Sequence, residues 1–331
     1  MTAIRWNKYK ALMQRDLIEH RAGFILVPAV LGVLLILLSG LSLLTGNFVL
    51  FDADGPTDQQ SNFGQMLESL ALLPTEQKQI VLGLIFSGFM TTVWIAFPFV
   101  VFFTLLGSLY EERRDRSFLF WKSMPVSDWE EVIARLVGGT FVPSITYTVI
   151  SVLACIAMLL VATLVALLQG GPIADLWRLG PVLELLLASI PVGLVWYLWS
   201  LPFFAWVMAA SAFAPRVPLM YALLPPAVLI AVEGILFKSA HVARIIGQHI
   251  YPAGHPVVQE FNAGFAAGYS GAAGYSGKVT NASDAMAVGW DRVMDSVWAI
   301  GASITSPQLW IGVALGIALL AAAVWRRRFT S

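Results

Sequence analysis

Long, mostly uncharged apolar runs alternate with polar stretches along this chain. Apolar runs cover residues 24–44, 80–109, 132–168, 182–210, 219–237 and 304–325. A run of about 20 apolar residues is long enough to cross the ~30 Å hydrocarbon core of a bilayer as a helix. The run at 132–168 is too long for one crossing. Its first turns are therefore predicted to stand at the interface, with Gly138, Gly139 and Pro143 marking the entry and 144–167 spanning. The second span is rich in aromatics and broken by Pro98. The pattern predicts an all-α integral membrane protein, a single domain over 1–331 with spans at 24–44, 80–109, 144–167, 182–210, 219–237 and 304–325.

The polar stretches differ from one another. Residues 4–21 carry Arg5, Lys8, Lys10, Arg15 and Arg21, with Trp6, Tyr9, Met13 and Leu17 at helical spacing. This is the pattern of an amphipathic helix lying in the headgroup region, with a solvated lead-in as the alternative. Residues 46–79 are acidic, 169–181 and 214–218 are turn-rich, and 238–303 form a long excursion with a small and aromatic middle. The segment 110–131 is the most charged. Glu111, Glu112, Arg113, Arg114, Asp115 and Arg116 run side by side, followed by Phe118, Leu119, Phe120 and Trp121. Met124-Pro125 forces a turn. Ser127 and Glu130 then form a capping box that opens the next helix. A half-charged, half-aromatic element between two spans reads as a docking surface, with Phe118, Phe120 and Trp121 as apolar anchor and Glu111, Glu112, Arg113, Arg114 and Arg116 as charged rim. The alternative is an aromatic belt on the membrane surface with its arginines on lipid phosphates.

Composition agrees with a membrane protein: 58% of residues are hydrophobic and 12% charged, against roughly 25% charged in soluble domains. Lys and Arg balance Asp and Glu at 20 each, so only their distribution informs. Six spans place both termini on one side. Fourteen of the twenty Lys and Arg then share that side with the termini, which the positive-inside rule assigns to the cytoplasm. The 46–79 and 238–303 loops fall outside. The lone Cys155 lies in an apolar run and supports no disulfide framework.

Little chemistry is legible. Gly277-Lys278 is followed by Val279, and Ala272 stands where a P-loop needs its first glycine, so no nucleotide-binding motif occurs and the chain is not expected to be an enzyme. Three histidines, His241, His249 and His255, fall in the outer loop without ligand spacing. No catalytic, metal-binding or cofactor residues are assigned. Ionisable groups inside spans are functional candidates; here they are Glu184 and Glu233. A possible transport path comprises Trp94 and Phe97 of the second span, the double-proline break at Pro225 and Pro226, and Glu233. Ordinary packing for the aromatics and an interfacial role for Glu233 stand beside that reading.

Six spans, a basic N-terminal helix and a cytoplasmic Lys-Ser-Met-Pro-Val-Ser stretch at 122–127 after a charged and aromatic run resemble the ABC-2 type permeases of bacterial ABC transporters. The resemblance implies that 110–131 is a coupling helix meeting a separate ATPase subunit, present in two copies and carrying the ATP and Mg. It also implies a second permease chain, identical or not, and a place in the bacterial cytoplasmic membrane among lipid, with no nucleic acid. It names no substrate. A secondary carrier, or a non-transporting anchor or sensor subunit, is the alternative; carriers show inverted repeats and midplane charges, and no repeat is evident here.

Overall fold

The computed structural model describes residues 14–15, 17–45, 51–52, 55–56, 63–72, 75–115, 127–178, 180–250 and 303–329. Six of its helices are long and apolar enough to cross a membrane, as expected where hydrocarbon leaves a helix no water to satisfy its backbone. In chain order, α1 is Ala22–Thr45, opening with a π-helical turn. A two-residue antiparallel ladder pairs Phe51 with Pro56 and Asp52 with Gly55. Then come α2 (Phe63–Leu72), α3 (Thr75–Trp94), α4 (Phe97–Ser108), the short α5 (Tyr110–Arg114), α6 (Asp128–Gln169), α7 (Gly180–Phe213), α8 (Pro218–Phe237), α9 (His241–Ile250) and α10 (Pro307–Arg328). The end of α10 lies at the start of α6, where Arg327 pairs with Glu131, here called the basic end; the start of α1 packs farther along α6, with Gly23 O accepting from Tyr147 Oη at 3.3 Å. Of the proposed interfacial helix at 4–21, residues 4–13 and 16 lie outside the described residues.

Several boundaries differ from the sequence pattern for local reasons. The second span is two helices, α3 and α4, parted at Ile95 and Ala96. Pro98 sits in the first turn of α4, where its missing N–H leaves no bond unmade. The third run is one helix of 42 residues, roughly 63 Å long and so far longer than the bilayer core. Gly138, Gly139 and Pro143 are all buried in the bundle. Gly139 lies where α4 crosses, so close that an added Cβ would stand 2.9 Å from Leu105. The helix begins as its capping box requires, with Glu130 N–H donating to Ser127 Oγ at 3.2 Å and Ser127 N–H to Glu130 Oε2 at 3.0 Å. It ends at Gly170, whose φ of 75° favours glycine.

Proline does not break the fifth span. The helix α8 runs unbroken through Pro225 and Pro226, correcting the double-proline break. Pro226 has no N–H to offer the Ala222 carbonyl four residues earlier. Trp206 of α7 supplies the donor instead, Nε1 to Ala222 O at 2.9 Å. Near Pro143, which leaves the Gly139 carbonyl without its usual donor, Tyr197 Oη donates to the neighbouring Thr140 O at 3.0 Å.

The core lies where α4, α6, α7 and α10 meet, around Phe97, Val101, Leu105, Val132, Tyr147, Phe204, Met208, Leu320 and Val324. Between helices in lipid, close approach matters more than apolar burial, so small residues mark the contacts. Gly32 and Gly40 bring α1 onto Ala154 and Val161 of α6. Gly312 and Gly316 bring α10 onto Pro202 and Leu201 of α7. The outward faces remain apolar, with Leu34, Leu37, Leu41 and Leu44 of α1 exposed.

The far end is closed by polar contacts. In α2, Phe63, Leu67 and Leu70 seat on Ala162, Val165 and Ala166 of α6. Gly64 N–H donates to Gln169 Oε1 at 3.0 Å. Lys78 of α3 bonds Asp175 at 2.9 Å, and Arg178 bonds the same carboxylate at 2.8 Å. The hydrogen bonds from Lys78 and Arg178 hold the Asp175 carboxyl below its ordinary value. A depressed carboxylate contributes stability above its unfolded value, about 3.9, and loses it as pH falls through the folded value. Asp175→Asn should therefore lower the unfolding midpoint by a constant amount from pH 8 to pH 5. The gap to wild type should close only below about pH 4, as midpoints measured across that range would reveal.

Candidate functional site

The charged segment after the second span divides on folding into a buried part and an exposed part. Leu109 and Tyr110 both donate their N–H groups to Ser211 Oγ of α7, at 3.1 and 3.0 Å. This fixes the start of α5 against α7. Tyr110 Oη donates to Arg216 O at 2.5 Å. Arg113 Nη2 donates to Ser211 O at 2.5 Å and Ala214 O at 3.0 Å. The half-buried Arg113 is thus bound to the α7–α8 turn and does not stand on an open rim.

Glu112 is buried as well, with 7% of its surface exposed. Sequence reasoning placed it on the rim; one turn of helix instead points it into the bundle. It pairs with Arg135 of α6 and, through Oε2, with Arg327 Nη1 of α10 at 3.2 Å. Arg135 also donates to Ser108 O at 2.9 Å. Arg327 Nη2 meets Glu131 Oε2 at 2.5 Å, and Arg327 Nε lies 3.6 Å from Asp128. Arg328 approaches Asp128 from the outside at 3.7 Å. Three carboxylates and three guanidinium groups form one neutral cluster. It joins the ends of the second, third and sixth spans, and Arg113 adds the fourth and fifth.

Glu111 and Arg114 remain exposed. Arg116, Phe118, Phe120, Trp121 and Pro125 lie outside the described residues. Their two attachment points are described: α5 before them and the Ser127 cap after them. Both belong to the cluster's own elements.

Of the path candidates, Trp94 and Phe97 pack on each other. Phe97 is 2% exposed and packs on Trp94, Tyr147 and Trp196, with ring centroids 4.8, 5.5 and 6.0 Å away. Within this chain it belongs to the core. Pro225 and Pro226 are half-buried. Glu233 caps the next helix. Its Oε1 accepts from Ser239 Oγ at 2.6 Å and His241 N–H at 2.7 Å, and its Oε2 from Val242 N–H at 2.7 Å. That is the bonding of an N-terminal cap carried on the preceding helix.

Sequence reasoning missed Asp128, Glu131, Arg135 and Arg327. Glu131 and Arg135 are one helical turn apart, just past the cap, and that spacing was a usable signal. Among the described residues no group of three His, Cys, Asp or Glu is placed to hold a metal. No protein-family model, curated protein or solved structure matches this chain.

Proposed function

We propose that this chain is the membrane-spanning permease subunit of an ATP-driven exporter of the ABC-2 type. It would lie in a bacterial cytoplasmic membrane with its basic end in the cytoplasm. Two copies of a separate ATPase subunit bind the 116–126 segment of two permease chains and supply the ATP and Mg. The observation that carries this reading is the charge cluster. A segment that receives a push must be fastened to what it moves, and α5 and the start of α6 are fastened to each other and to α10 through Glu112, Arg135, Glu131 and Arg327. Load on 116–126 would reach the second, third and sixth spans together. Transport then requires that the partner bind the two states of the bundle with different affinity.

The test is co-purification of the ATPase with tagged permease, beside ATP hydrolysis in lipid. Truncating one buried interfacial aromatic costs about 2 kcal/mol, roughly a thirtyfold loss of affinity. Phe120→Ala should loosen the ATPase and Phe120→Asp should release it, with membrane insertion unchanged. Glu111→Lys, at an exposed site, should act weakly and mainly at low salt. If Phe118, Phe120 and Trp121 all become alanine with assembly and hydrolysis intact, the reading fails.

A further inference from the structure

Contacts along α6 set the heights of the other spans. Arg327, at the end of α10, meets Glu131 in the first turn of α6. The Gly23 carbonyl, at the start of α1, accepts from Tyr147 Oη. Residues 131 and 147 lie about 24 Å apart along α6 at 1.5 Å per residue. From Gly23 the first span climbs away from the basic end: Gly32 meets Ala154, Gly40 meets Val161, and Gln169 Nε2 donates to Leu43 O at 3.4 Å. The middle of α10 is set lower, because Gly316 lies on Leu201 and Pro202 of α7, one turn past the Tyr197 that bonds Thr140 of α6. Leu34, at the middle of α1, therefore stands about 22 Å farther from the basic end than Leu315 of α10. The fifth span shares the lower tier, since Trp206 of α7 bonds Ala222 near the start of α8.

Both tiers are built to meet lipid. On α1, Leu34, Leu37, Leu38 and Leu41 are exposed, and so are Ile311, Leu315 and Ile317 on α10 and Leu223, Leu224 and Leu229 on α8. A ~30 Å hydrocarbon core laid square to the bundle axis covers one tier and leaves the leucines of the other in water. It also leaves the exposed Arg21, where α1 begins, and the exposed Lys238, where α8 ends, at similar mid-bundle heights. The two tiers lie on different sides of α6. At 100° per residue, the Glu131 and Arg135 face toward α10 and the Tyr147, Ala154 and Val161 face toward α1 are roughly 120° apart. With touching helix axes 8–10 Å apart, α1 and α10 are separated sideways by roughly 16 Å.

We infer that the bundle sits inclined in the bilayer by roughly 50°, the angle at which a rise of about 22 Å across about 16 Å becomes level. Lipid acyl chains then cover one oblique band that takes in α1, α8 and α10 together. Arg21 falls at one face of the membrane and Lys238 at the other. The 42-residue α6 gives an independent check. Upright, its roughly 63 Å overshoots the whole bilayer; at 50° it covers about 40 Å, the span between opposite headgroup regions. The 24-residue α1 covers about 23 Å at that angle, so lipid beside it thins by several Å, which costs less than leaving a face of leucines in water. The inference rests on the six-span membrane fold and is independent of any ATPase partner.

The test has two arms, both on the full chain without other subunits in phosphatidylcholine bilayers. In the first, Cys155→Ala carries Leu34→Cys or Leu315→Cys, each labelled with a fluorophore. Quenching by lipids bearing a nitroxide at mid-chain is compared with quenching by lipids bearing it at the headgroup. Both native side chains are exposed, so the labels displace no core residue. In the second, polarised infrared absorption of the wild-type chain in aligned bilayers gives the mean helix inclination. Both labels should be quenched several-fold more from mid-chain, and the mean inclination should be near 50° against about 20° for ordinary spans. One label at mid-chain and the other at the headgroup or in water would overturn the inference, leaving the second flank to be covered by protein such as another copy of this chain. Both at mid-chain with a mean inclination near 20° would also overturn it, because the bilayer would then be stepped around an upright bundle. Neither label at mid-chain would overturn the first and sixth spans themselves.

Discussion

Arg327→Met is expected to destabilise the folded chain by about 3–5 kcal/mol, the usual cost of removing one partner from a buried ion pair. The side chain is 9% exposed and touches Glu112, Glu131 and Asp128. Its removal leaves three carboxylates facing Arg135 and the more peripheral Arg328. Arg328→Met supplies the contrast. That side chain is 58% exposed and reaches only Asp128 at 3.7 Å, so its loss should cost under about 1 kcal/mol. Unfolding by SDS in mixed micelles, followed by circular dichroism, measures both. Adding Glu131→Gln to Arg327→Met should recover part of the loss, because the two charges share a bond. Equal costs at 327 and 328, with no recovery, would mean that the cluster does not bind the helix ends together.

Gly316→Leu should be similarly damaging for a steric reason. The α7–α10 contact is the most extensive between any two described helices. A Cβ at 316 would stand 3.0 Å from Leu201 Cγ and 3.2 Å from both the Leu201 carbonyl carbon and the Pro202 nitrogen. A side chain can rotate aside, but those two backbone atoms cannot move without the helix. Overpacking of this kind costs about 1–3 kcal/mol, and a leucine that parts the helices also loosens Leu309 against Trp199. Gly234→Ala is the control. Nothing lies within 4 Å of its Cβ position, and alanine for glycine inside a helix is favourable by up to about 1 kcal/mol. The same titration should show a lowered midpoint for the first variant and an equal or raised one for the second. A neutral Gly316→Leu would show that the two spans do not pack through this glycine.

Apolar run length made the six spans legible, because length and hydropathy alone decide what can cross. The Ser127 box was legible for the same kind of local reason: donor, acceptor and spacing all lie within four residues. What escaped depends on direction. The six charges from Glu111 to Arg116 look alike in sequence, yet 100° of rotation per residue buries Glu112 and leaves Glu111 in water. Proline also misleads when read alone. Pro225 and Pro226 suggest a break, and only the position of Trp206 on another helix shows how an orphaned carbonyl is satisfied. Glu233 was noticed as an intramembrane charge, but its partners are backbone groups of a helix whose placement the sequence does not disclose. The segment 116–126, on which the docking reading depends, contributes composition only.

The order in which a ribosome delivers these residues adds a constraint to the cluster. Glu112, Asp128, Glu131 and Arg135 emerge early, and synthesis proceeds from the N-terminus at a few residues per second or more. Until Arg327 and Arg328 follow, almost 200 residues later, that early set has three negative charges and one positive. It cannot close as a dry, balanced group. The helix ends at the basic face must therefore stay hydrated and loosely joined through most of translation. Neutrality, and with it the locking of the bundle, arrives only with the last turn of the final helix.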